Sequence, residues 1–233
     1  MPKQAIIFAT SVALAGACVV ASAAATWPPL AMGTFLVSAA LALIAATFKV
    51  RIPGMTSAIS PVAVPILFAA GTLGWQAGAV IAASSAVVMC LWRPKTTPTL
   101  LQVAFNSATM TLSVVLATQA ANLATPAGTF VWFVAAAVVF QVTNVLLVAV
   151  ILSLLGEGVS LSSLWRNCHL WSFPYELAAG LFAGLWAQAG PLPAISALPV
   201  GAIGLACVLL YLMSVFYGEV VDRSVAGGEL TTN

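Results

Sequence analysis

The sequence predicts an all-α fold, a polytopic transmembrane helical bundle of about eight apolar segments. Three observations carry that expectation. The chain of 233 residues is 62% hydrophobic and only 5% charged, whereas soluble domains carry about 25% charged residues. Its apolar residues gather into runs of about 20, the length a helix needs to cross a bilayer. All seven Lys and Arg residues fall in alternate links between those runs. Lipid offers no hydrogen bonds to a backbone, so a crossing segment must satisfy its own N–H and C=O groups, as a helix does. Residues 1–217 read as one transmembrane helical domain and 218–233 as a polar cytoplasmic tail.

The first segment, Ala5–Thr26, ends at Trp27-Pro28-Pro29. With Lys3 before it and Ala21-Ser22-Ala23 near its end, it imitates a secretory signal with a small-residue cleavage site. The apolar run continues to Ala25 and more apolar chain follows, so an uncleaved first span is expected. The second segment is Leu30–Phe48. The third, Pro61–Leu73, is short, and the fourth, Trp75–Trp92, follows it through a hairpin around Gly71, Gly74 and Gly78. As a helix the third rises only about 20 Å against a hydrocarbon core of about 30 Å. It therefore either spans with help from non-helical chain or forms a re-entrant hairpin with the fourth. Arg93-Pro94-Lys95-Thr96-Thr97-Pro98 links to the fifth segment, Leu100–Leu123, and Thr125-Pro126 turns the chain into the sixth, Phe130–Leu155. A polar link, Gly156–Arg166, precedes the seventh at Phe173–Ala189. Gly190-Pro191-Leu192-Pro193 leads into the eighth, Ala194–Tyr217.

The cations test this division independently. Lys3, Lys49, Arg51, Arg93, Lys95, Arg166 and Arg223 lie before the first segment or after the second, fourth, sixth and eighth. The other links carry no charge. Lys and Arg concentrate on the cytoplasmic side of a membrane, so both termini are expected there. A re-entrant hairpin returns to its own side and leaves the alternation intact.

Phe48–Pro61 interrupts the apolar pattern with Lys49 and Arg51. Pro53-Gly54 supplies a turn, because proline fixes φ and glycine accepts positive φ. Non-helical backbone at membrane depth needs protein or a polar cavity to satisfy it, and Thr56, Ser57 and Ser60 are suited to that. Arg51 to Ser60 is expected to fold back on the cytoplasmic half of the bundle. The alternative is a plain cytoplasmic loop.

Polar side chains inside apolar segments are costly and therefore informative. Gln102 and Asn106 are four apart in the fifth segment, and Gln141 and Asn144 three apart in the sixth, so each pair shares a helical face. These amides either bond across the helix contact or line a ligand pocket. The expectation is that Asn106 and Asn144 approach inside the bundle, with Gln102 and Gln141 near the same polar layer. Glu176 is the only carboxylate within an apolar segment. It is a functional candidate by default, although a place near a helix start also suits the dipole. The candidate ligand or polar-core residues are thus Gln102, Asn106, Gln141, Asn144, Glu176, Arg51 and Ser57.

No residue pattern here points to a catalyst, a metal or another cofactor. His169 stands among Trp165, Arg166 and Trp171 and reads as interfacial. Cys18, Cys90, Cys168 and Cys207 show no CxxC pair and read as small hydrophobes. GxSxG, HExxH and a phosphate-cradling glycine loop are all missing. The seven tryptophans lie mostly near segment ends, as interface anchors do, and Gly180 with Gly184 permits close helix packing. A net charge of +2 gives no reason to expect nucleic acid.

The run Lys49-Val50-Arg51-Ile52-Pro53-Gly54-Met55-Thr56-Ser57-Ala58-Ile59-Ser60 resembles part of a known family. It is similar to the multi-span N-terminal membrane sensor domain of bacterial cyclic-di-GMP signalling proteins, which carry HD-GYP or GGDEF effector domains. Leu91-Trp92-Arg93, Gln102-Val103-Ala104-Phe105-Asn106, Asn144, Leu164-Trp165-Arg166 and Trp171-Ser172-Phe173-Pro174-Tyr175 match in order, covering Lys49 to Arg223. Glu176 departs from the aromatic or aliphatic residue of that pattern, and the effector domain would begin after Arg223.

The resemblance implies a multi-pass protein of the bacterial cytoplasmic membrane, sensory or binding in type and without catalytic output. A small-molecule ligand and a separate signalling subunit would be its partners besides the bilayer. Two other readings stay open. One is a solute-uptake component resembling the membrane-embedded substrate-binding subunit of an energy-coupling-factor transporter; the other is a structural subunit of a membrane complex.

Overall fold

Each apolar run coils into a helix, and the proline- and glycine-bearing links end it. The computed structural model describes residues 1–28, 31–48, 50–51, 58–94, 96–123, 128–156 and 173–189. Among these are seven helices: α1 (Lys3–Ala25), α2 (Met32–Thr47), α3 (Ala63–Leu73), α4 (Trp75–Leu91), α5 (Leu100–Leu123), α6 (Thr129–Leu154) and α7 (Phe173–Ala189). They follow the first seven expected segments closely, because the breakers that end the runs also end the helices. The eighth expected segment, Ala194–Tyr217, lies outside the described residues, as does the tail. Among the described residues three helices, α1, α5 and α6, are long and apolar enough to cross a membrane.

One feature departs from an all-helical chain. Val50–Arg51 pairs antiparallel with Ala58–Ile59, Val50 opposite Ile59 and Arg51 opposite Ala58. The chain thus doubles back between α2 and α3, bringing the start of α3 beneath the end of α2. Ser60 fixes that return, its buried hydroxyl donating to the Ala45 carbonyl in the last turn of α2 at 2.6 Å.

α3 sits at the centre. Its eleven residues rise only about 16 Å, yet every residue from Ala63 to Ala70 is buried. Burial on all sides requires neighbours all round, and α3 packs against α2, α4 and α7, with lesser contact to α5 and α6. Gly74, at φ 100°, lets the chain leave α3 and begin α4 within one residue, a conformation a side chain would strain.

The main core joins α2 through α7 and is rich in alanine, including Ala42, Ala69, Ala82, Ala137 and Ala183. Small residues let helix backbones approach where lipid supplies no hydrophobic drive. A smaller cluster ties Ala5, Ala9 and Val12 of α1 to Phe105, Ala108 and Ile151. The outer surface stays apolar, with Ile7, Leu14, Leu36, Leu116 and Leu181 exposed. Trp132 and Trp186 are buried among the helices.

Candidate functional site

Most buried hydroxyls are spent locally. Ser38, Thr111, Ser113 and Thr118 each donate to the carbonyl four residues earlier in their own helix, a habit of Ser and Thr in helices. They line no site.

Gln102 has a local task. Its side-chain oxygen accepts the Thr99 N–H at 2.8 Å, while the Thr99 hydroxyl accepts the Gln102 N–H at 3.3 Å. This reciprocal capping box closes the open donors at the start of α5. Asn106 is exposed and directs its amide toward α4, donating to the Cys90 sulfur at 3.3 Å. Ser107 reinforces the same contact by donating to the Ala83 carbonyl. No hydrogen bond joins Asn106 to Asn144 among the described residues. The polar layer expected across α5 and α6 thus reduces to the α6 pair, Gln141 buried and Asn144 half-buried. Shared faces were legible from spacing, but spacing does not say which neighbour a face meets. Ser57 lies outside the described residues, and Arg51 is described in its backbone alone.

One amide contact escaped sequence reasoning. Trp132 Nε1–H donates to the Asn122 side-chain oxygen at 3.0 Å, tying α5 to α6 beside their link. An asparagine next to a turn looks like a link residue, and only the folded hairpin gives it a buried tryptophan.

Glu176 sits differently from every other candidate. Gly180 and Gly184, on its helix, face α6: a Cβ on Gly180 would come within 2.8 Å of the Ala137 Cβ and the Phe133 carbonyl oxygen, and one on Gly184 within 3.1 Å of the Phe130 ring. As numbers rise along α7 they fall along α6, so the two helices run antiparallel. The side of α7 toward α3 is marked by Trp186, whose ring stacks on Phe68 at 3.7 Å. Tyr175 marks it too, its hydroxyl donating to the Ser60 carbonyl at 3.3 Å.

A helix turns about 100° per residue, so Tyr175 and Trp186 point about 140° and 120° away from Gly180 in one rotational sense, and Glu176 about 40°. Glu176 therefore points into the seam between α6 and α3. One turn back from Gly180 on α7 corresponds to one turn on from Ala137 on α6, so Glu176 and Gln141 stand at similar depth but on opposite sides of the helix contact. Both residues are buried, with 8% and 6% of their surface exposed.

Among the described residues, four buried side-chain atoms have no hydrogen-bond partner: Ser85 Oγ, Thr109 Oγ1, Trp186 Nε1 and Glu176 Oε2. Of the four groups only the carboxyl can carry a full charge. It is also the only Asp or Glu among the described residues. Nor do three His, Cys, Asp or Glu come together anywhere among them.

Compared with protein-family models, with curated proteins and with solved structures, the chain matches none.

Proposed function

We propose that this chain is a non-enzymatic binding domain of the bacterial cytoplasmic membrane, sensor-like in type, with both termini in the cytoplasm. Its ligand meets Glu176 in the seam of α3, α6 and α7. The observation that carries this reading is the buried Glu176 carboxyl, whose Oε2 has no hydrogen-bond partner. A purely structural acid in an apolar bundle is costly to keep unless something satisfies it. The family resemblance supplies the sensory character, and the alternating cations supply the orientation.

The test is native mass spectrometry of the protein carried in lipid nanodiscs, never stripped by detergent. Wild type should retain a non-lipid mass that Glu176→Gln loses. If neither protein retains one, a binding function at this seam is wrong.

A further inference from the structure

We infer that the start of α7 is a relay, in which Tyr175 and Ser60 carry the state of Glu176 to the strand pair between α2 and α3. This rests on the binding function proposed above and names how occupancy of that site leaves the membrane.

Three contacts make a continuous path. The Tyr175 hydroxyl donates to the Ser60 carbonyl at 3.3 Å. The Ser60 hydroxyl donates in turn to the Ala45 carbonyl, in the last turn of α2, at 2.6 Å. Ser60 directly follows Ala58–Ile59, which pairs with Val50–Arg51. One residue thus joins α7, α2 and the strand pair. Tyr175 and Ser60 are both buried, a setting in which such bonds are stronger than in water.

The two bonds on Ser60 are unequal. Hydroxyl-to-oxygen bonds prefer about 2.7–2.8 Å, and a contact at about 3.6 Å is no longer one. The bond to α2 is therefore firm, while the bond from Tyr175 stands near its limit. A displacement of about 0.3 Å breaks it. The path opens and closes at Tyr175.

Glu176 is placed to make that displacement. It follows Tyr175 directly in the first turn of α7, the two Cα atoms about 3.8 Å apart. The side chains point about 100° apart, Tyr175 to α3 and Glu176 into the seam with α6. One turn on, Gly180 lies close against Ala137 and Phe133 of α6 and holds the helix there. A group that engages the carboxyl therefore pulls on the same turn that aims the tyrosine hydroxyl. At the far end stands Arg51, opposite Ala58, one of the cations that the charge pattern assigns to the cytoplasmic side. The path runs from the membrane seam to that side.

Wild type, Glu176→Gln, Tyr175→Phe and the double variant are compared in nanodiscs by hydrogen-exchange mass spectrometry of peptides carrying Ala58 and Ile59. Tyr175→Phe removes one oxygen and should quicken exchange there about two- to tenfold, the net worth of one hydrogen bond. Glu176→Gln should quicken it at least about twofold on its own and not at all in the Tyr175→Phe background, because both changes act through one contact. Exchange in the first turn of α5 should be the same in all four proteins.

Equal exchange in wild type and Glu176→Gln overturns the relay. So does a Glu176→Gln effect of the same size with and without the Tyr175 hydroxyl, and so does matching acceleration in α5. Native mass spectrometry of the same samples keeps the two readings apart. A non-lipid mass lost in Glu176→Gln without any exchange effect leaves the binding function standing and removes the relay alone. An exchange effect that needs Tyr175, in a protein that retains no such mass, supports the relay and removes the binding function.

Discussion

Replacing Gly180 by alanine probes the contact on which the seam depends. An added Cβ would stand 2.8 Å from both the Ala137 Cβ and the Phe133 carbonyl oxygen, whereas ordinary contacts begin near 3.4 Å. Both obstacles belong to the backbone or are rigidly fixed to it, so no rotamer change relieves them. The two helices must part by about 0.6 Å, the sort of overpacking that costs about 1–3 kcal/mol. Gly33, exposed on α2, has nothing within 4 Å of its added Cβ and serves as the reference. Each Gly→Ala change gains up to about 1 kcal/mol of helix propensity. The difference between the two variants therefore isolates the packing cost. Gly184→Ala should fall between them, because its nearest obstacle is the edge of the Phe130 ring at 3.1 Å, which can swing. Unfolding in mixed detergent–dodecylsulfate micelles, followed by circular dichroism, ranks the three. Equal stability of Gly180→Ala and Gly33→Ala would refute the antiparallel α6–α7 contact, and with it the position assigned to Glu176.

Three further outcomes follow from particular bonds and from the charge pattern. Ser60→Ala removes the 2.6 Å bond to the Ala45 carbonyl, which still accepts the Phe48 N–H at 3.1 Å, and should cost about 0.5–1.5 kcal/mol, the net worth of one hydrogen bond. Hydrogen exchange at Ala58 and Ile59 should quicken with it, and unchanged exchange would mean an ordinary loop. Thr99→Ala opens the capping box and should destabilise by about 0.5–2 kcal/mol, read as faster exchange in the first turn of α5 alone. With the native cysteines replaced, a single cysteine at Thr125 should react with a membrane-impermeant thiol reagent from outside, while one at Thr97 should not. The opposite pattern would overturn the cytoplasmic placement of the termini.

The sequence by itself determined the class and the cutting points. Composition this poor in charge admits a membrane bundle, and Trp27-Pro28, Gly74, Pro94 and Thr125-Pro126 mark where helices must stop, because those local rules need no partner. It also singled out Glu176 as an acid out of place, and it named Ser60, with Thr56 and Ser57, as suited to satisfy backbone. What it could not decide was which neighbour each face meets. The four-residue spacing of Gln102 and Asn106 says that they share a face, yet Gln102 caps its own helix and Asn106 turns to Cys90 of α4. Nothing in their spacing marked Trp132 and Trp186 as core, which they are. α3 read as a span too short to cross and proves to be the element that the others surround. These outcomes depend on packing among helices distant in sequence. In a chain where nearly every face is apolar, periodicity no longer separates inside from outside, and only the closeness allowed by small residues such as Gly180 and Ala137 chooses the partners.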